Sequence, residues 1–178
     1  ILEQYKEGII CLTGDFDGIL GQTFLCTGEA QAKTLLQKLV QIFTKENTYL
    51  ELCARGDFGD QKTVNQWKCK MAQELNLELV VTTNARFAEP DDEEASDTLF
   101  CIGKNQLMTS FDRQKFVTGN WFKSWDEIVS ELQYLEHDIL ENARQNTLKI
   151  ADLVDFELEF GNDLLPNFEV PEGETEAT

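Results

Sequence analysis

The stretch LELVVTTNARF, residues 77–87, decides the fold class. Leu77, Leu79, Val80 and Val81 form a short apolar run that ends abruptly in Thr82, Thr83, Asn84 and Arg86. Such a run reads as a buried strand that delivers polar groups to one end of an α/β sheet, where the carboxyl ends of the strands carry the chemistry. Two other stretches repeat the design: GIICLTG (8–14) and TYLELCARG (48–56) are apolar runs that also end in polar turns.

Amphipathic helices separate these runs. Leu35, Leu36, Leu39, Val40 and Phe43 fall on one stripe, and Val64, Trp67, Met71 and Leu75 on another. Strand, helix, strand, helix, strand implies parallel pairing through crossovers, hence an α/β fold. A parallel sheet needs neighbours on both sides, and the opening ILEQYKEGIICLTG (1–14) enters straight into a turn and a strand. The chain is therefore expected to begin partway through a larger domain.

The second half is mostly helical. Ser124 followed by Glu127 is a capping box that opens a helix carrying Ile128, Val129, Leu132 and Leu135, and another helix is expected from about Asp138 to Leu153. The closing GNDLLPNFEVPEGETEAT holds two of the three prolines and an acidic tail, so residues 166–178 read as an exit segment with a mobile end from about Asn167, and residues 1–165 as the domain proper.

Composition narrows the functional classes. With 178 residues, 42% hydrophobic and 27% charged, the chain has room for one globular core. It lacks the run of roughly 18 apolar residues that a membrane helix needs, and residues 1–12 lack the features of a signal peptide; a cytoplasmic location is expected. Cys11, Cys26, Cys53, Cys69 and Cys101 are scattered without a C-x-x-C, which points to buried thiols rather than a disulfide framework or a zinc ribbon. Fifteen basic against 33 acidic residues leave a formal charge of −18, a field that repels nucleic acid.

Candidate chemistry is sparse. His137, the single histidine, has no second histidine to share a metal and suits a surface or capping role at a helix start. GDFDG (14–18) puts two carboxylates after a strand and could hold Mg²⁺, but it lacks the length and the glutamate of a calcium loop and reads as a solvated turn. EPDDEEASD (89–97) crowds acids at a helix start, where the helix dipole favours them. Arg55-Gly56-Asp57 is ordinary turn chemistry. The chain contains no G-x-G-x-x-G, P-loop or G-x-S-x-G.

Taken in order, YKEGIICLTG, TYLELCARG, LVVTTNARF, DDEEASDTLFCIG, WFKSWDEI, NARQNTLKIADLVDFEL and LLPNFEVPEG resemble the back half of the PHP domain (polymerase and histidinol phosphatase) found at the amino end of the bacterial DNA polymerase III alpha subunit. The resemblance implies a distorted seven-stranded β/α barrel, of which this chain would supply the later strands and helices. Metal-binding members carry a Cys in Leu-Ser-Gly-Cys, a His after Tyr-Leu-Glu-Leu, an Asp-x-His in Asn-Asp-Val-His and a His before Asp-Val-Leu-Leu-Cys-Ile. On this chain those positions fall at Asp15, Arg55, Asn84 with Arg86, and Ser96, with Asp97 matching the neighbouring acid.

Of the replaced ligand positions only Asp15 keeps a metal-binding group, and guanidinium does not deprotonate in proteins. Arginine is expected to supply the positive charge there, paired with acids such as Asp15 or Asp97. The resemblance implies a polymerase chain whose Mg²⁺-dependent active site lies beyond residue 178, with this segment as a non-catalytic scaffold without its own cofactor. Its implied partners are the rest of the polymerase chain and the proofreading exonuclease, with no direct contact to nucleic acid or membrane. A metal-dependent phosphoesterase with ligands from a missing front half, and a solitary interaction module, are the alternatives.

Overall fold

The computed structural model describes residues 1–55, 59–113, 119–158 and 160–161. Its elements run β1 (Cys11–Leu12), α1 (Ile19–Thr27), α2 (Glu29–Phe43), β2 (Thr48–Cys53), α3 (Gln61–Leu75), β3 (Glu78–Thr82), a 3₁₀ turn (Pro90–Asp92), α4 (Glu93–Gly103), α5 (Trp125–Glu131) and α6 (His137–Leu153). Among the described residues the strands form one parallel sheet in the order β1-β2-β3. The mixed α/β architecture agrees with the alternating sequence pattern, whereas a closed barrel is not formed by three strands. Residues 56 and 57 of the Arg-Gly-Asp turn, the exit segment 166–178 and the LLPNFEVPEG motif lie outside the described residues.

The strands alternate faces, so Leu50 and Leu52 of β2 point toward helices. Leu50 packs with Leu20 of α1, Ala32 and Leu36 of α2 and Trp67 and Met71 of α3. Trp67 also stacks on Phe24 at 4.6 Å. Leu52 packs in a second cluster with Cys69, Val81, Leu132, Leu140 and Ala143. Cys53, Cys69 and Cys101 are buried, Cys11 is half-buried and Cys26 is exposed, and all five are free thiols.

Two expected elements come out shorter. The GIICLTG run pairs only at Cys11 and Leu12, and Leu12 is 44% exposed, because β1 is an edge strand with β2 on one side alone. The capping box at Ser124 and Glu127 forms as expected, but α5 stops at Glu131. Leu132 leaves helical geometry, and a turn bond from the Leu135 N–H to the Leu132 carbonyl at 2.8 Å reverses the chain while Leu132 stays in the core. His137 is exposed as the first residue of α6. No helix among the described residues is long and apolar enough to cross a membrane.

Helix α6 closes the far edge of the sheet with side chains rather than with a strand. Thr147 Oγ1 accepts the Val81 N–H at 3.2 Å and lies 3.2 Å from the Val81 carbonyl, and Asn146 Nδ2 donates to the Leu79 carbonyl at 2.9 Å. Backbone groups on an edge strand must find partners or remain wet, so this pair replaces a missing neighbour. Thr147→Val, which keeps the shape and removes the hydroxyl, is expected to lower stability by about 1–3 kcal/mol in urea unfolding, whereas Gln145→Ala on the exposed face should change it by no more than about 0.5 kcal/mol.

Candidate functional site

The carboxyl ends of the strands converge on a cluster of charges. After β1 the chain turns at Gly14, whose φ of +72° suits glycine, and enters the loop carrying Asp15 and Asp17. Asp15 Oδ1 accepts the Asp17 N–H at 3.0 Å, a local turn that fixes both carboxylates. Arg55 leaves the end of β2 with its side chain 1% exposed; its Nη1 donates to Asp15 Oδ2 at 2.6 Å and to Asp17 Oδ2 at 3.2 Å. The guanidinium also lies over the Phe16 ring, 5.2 Å from its centre. Beyond β3, Asn84 takes a left-handed φ of +50° and donates from Nδ2 to the same Asp15 Oδ2 at 3.2 Å.

A second layer of polar groups ties the strands together beneath this cluster. Glu51 accepts the Gly14 N–H at 2.9 Å and the Thr82 hydroxyl at 2.6 Å, while its own N–H donates to Thr13 Oγ1 at 3.1 Å. Lys68 of α3 is fully buried and donates to the carbonyls of Gly14 and Glu51. Asn65 accepts the Cys53 N–H at 3.3 Å and donates back to the Cys53 carbonyl at 3.0 Å. Lys123 is also buried: it donates to the carbonyls of Ala54 and Gly119 and pairs with Glu131 at 3.3 Å. Asn120 braces the segment that follows β3, donating to the Asn84 carbonyl at 2.7 Å while its own backbone carbonyl accepts the Arg86 N–H at 2.7 Å.

Asp15, Arg55 and Asn84 are thus brought together, while the other three singled-out positions are held differently. Arg86 is exposed and forms no ion pair among the described residues. Asp97 on α4 binds Arg113 in a two-pronged pair at 2.9 and 2.7 Å, and Ser96 is half-buried beside it. Sequence reasoning missed Glu51, Asn65, Lys68, Asn120 and Lys123. Lys68 could have been found: four residues after Val64 and three before Met71, it occupies a core position of the α3 stripe, where a lysine must find buried acceptors.

The donors present do not suit a divalent cation. Among the described residues, no three His, Cys, Asp or Glu side chains group closely enough to hold one. Asp15 Oδ2 already accepts from both Arg55 and Asn84, and a buried guanidinium 2.6 Å away would repel an added cation. What the arrangement does chemically is bridge two carboxylates with one guanidinium and lock three strand ends to one another.

Residues 1–55, which end on Arg55 itself, match the PHP domain family. The chain is 29% identical over 171 residues to the DNA polymerase III subunit alpha of Borreliella burgdorferi, covering 96% of this chain and 14% of that protein. Against the subunit of the same name from Pseudomonas aeruginosa it is 29% identical over 173 residues, with 97% and 14% covered. The Rickettsia conorii subunit gives 30% over 167 residues, with 94% and 14% covered. The resemblance to the PHP domain of that subunit holds. The PHP-like segment spans about 14% of the length of these curated relatives.

Lys68 makes the site's electrostatics measurable. Burial pulls its ammonium down to about 8, against the attraction of Glu51 and Asp15. Below that pH the lysine is charged in both folded and unfolded chains, and the cost of burying the charge is fully present; above it the folded chain releases the proton first, so stability rises with pH until the unfolded value is reached. Cys53 and Cys69, pushed up by burial to about 12 and about 11, act in the opposite sense, with stability lost as pH climbs toward those values. Comparison with Lys68→Met cancels the cysteine contribution. The stability of the parent relative to this variant should stay level from about pH 6 to 7.5 and rise by roughly 1 kcal/mol per pH unit between about pH 8 and 10; a level difference throughout would show that burial does not lower the Lys68 ammonium and that it holds its proton in the fold as it does in the unfolded chain.

Proposed function

We propose that this segment is a non-catalytic PHP domain within a DNA polymerase III alpha-type chain, acting as a structural scaffold and as the docking surface for the proofreading exonuclease. The observation that carries the reading is the buried Arg55 guanidinium bonded to Asp15 at 2.6 Å, at the sheet end where the family keeps its metal ligands. A fixed organic cation stands where metal ions would sit, so the architecture keeps its central positive charge and loses the chemistry. In this reading the three-stranded sheet is the back part of the seven-stranded barrel, and the open β1 edge, with Ile9 and Leu12 exposed, is where the next strand joins. The DNA-synthesising active site and its Mg²⁺ belong to another part of the polymerase. The formal charge of −18 suits protein partners better than a nucleic-acid phosphate backbone.

The test uses the full-length parent protein, so that ligands from outside the segment are included. Two unit charges about 4 Å apart interact by roughly 4 kcal/mol at an effective dielectric of 20, and a divalent ion doubles the repulsion. Every 4 kcal/mol weakens binding by about three powers of ten. Metal analysis after desalting is expected to find no tightly bound Mn²⁺ or Zn²⁺, and a model phosphodiester should remain uncleaved with Mn²⁺, Zn²⁺ or Mg²⁺ added, while primer extension proceeds. Stoichiometric metal, with hydrolysis lost on chelation and restored by Mn²⁺, would refute the scaffold reading and favour a phosphoesterase.

A further inference from the structure

Residues 154–160 read Val-Asp-Phe-Glu-Leu-Glu-Phe, apolar and acidic side chains in strict alternation. That period of two belongs to a half-buried strand, and the chain has left α6 at Leu153 with extended backbone at Val154, φ −80° and ψ 108°. Yet the apolar members stand in solvent: Val154, Phe156, Leu158 and Phe160 are 62, 75, 66 and 88% exposed. A lone strand has no stability of its own, since its backbone groups and its apolar row both need a neighbour.

We infer that residues 154–160 form an add-on strand that pairs with the edge of a sheet elsewhere in the same polypeptide, outside these 178 residues, whose edge strand alternates apolar with basic side chains. The inference rests on the reading of the segment as part of a larger polymerase chain. Alternation sets the partner's chemistry: on one face the row of Val154, Phe156, Leu158 and Phe160 packs against apolar side chains, and on the other Asp155 and Glu157 meet Lys or Arg across the strand pair. A second copy is a poor partner, because each carries a formal charge of −18 and the open β1 edge is two residues long. A strand this short binds weakly as a free segment, whereas tethering in one chain supplies an effective concentration in the millimolar range.

Hydrogen exchange read by mass spectrometry, on the full-length parent and on the 178-residue chain, tests the pairing. In the parent, the amides of residues 155–160 should exchange roughly a hundredfold or more slower than in the 178-residue chain. Leu158→Asp should abolish that protection while the amides of β3 stay slow, which separates lost docking from lost folding, and Glu157→Lys should reduce it by meeting like charge. Fast exchange in the parent would overturn the inference. So would protection that grows with concentration in the 178-residue chain, which would identify a second copy as partner, or protection that requires an added exonuclease. A parent that protects the strand but fails to extend a primer would support the strand and contradict the polymerase reading.

Discussion

A charge that cannot leave a protein interior must be answered inside it, and here that charge is the guanidinium of Arg55. Its side chain is 1% exposed, which in a low-dielectric setting is tolerable only with carboxylates in direct contact. Asp15 and Asp17 supply them from a loop shaped by Gly14, and Asn84 shares the Asp15 oxygen from the other side of the sheet. The ends of all three strands are positioned by this single requirement. Removing either partner leaves a buried charge uncompensated, so the cluster is fixed more tightly than its surface-loop position would suggest.

The layer beneath follows the same logic, with ionisable side chains answered by backbone and hydroxyl groups. Glu51 gathers the Gly14 amide and the Thr82 hydroxyl from the strands on either side of β2, and Lys68 rises from α3 to the carbonyls that remain. Polar groups thereby do at this end of the sheet what Leu50 and Leu52 do on its helix-covered face. A network that spans the strands in this way holds the shape of the sheet end with the chain's own side chains.

Much of this was legible in the sequence, for identifiable reasons. The apolar runs in TYLELC and LELVVT named β2 and β3, because strands buried within a sheet read as apolar runs, and the Leu36 and Trp67 stripes named the helices that cover them, because burial on one helix face leaves its period in the chain. The helix expected from about Asp138 to Leu153 is α6, His137–Leu153, the difference at its start lying within the ordinary fraying of helix ends. The shrinkage of β1 was not legible, since an apolar run does not say whether its far side will find a neighbour. Asp97 was expected to answer a site arginine, but Arg113, in an irregular stretch without periodicity, takes it instead. Nor could the sequence tell that Asn146 and Thr147 would turn toward the backbone of β3, because helical spacing places side chains on a face without naming what they meet there.

The coupling between Asp15 and Arg55 tests the account most directly, through a double-mutant cycle built from Asp15→Asn, Arg55→Met and the double variant, with stability measured by urea unfolding at neutral pH. The account predicts that Arg55→Met alone costs about 3–5 kcal/mol, because it strands a buried carboxylate, and that the double variant is less destabilised than the sum of the single ones by about 1–3 kcal/mol. Additivity within about 0.5 kcal/mol would contradict it, for the two side chains would then be neighbours without being the interaction on which the site depends.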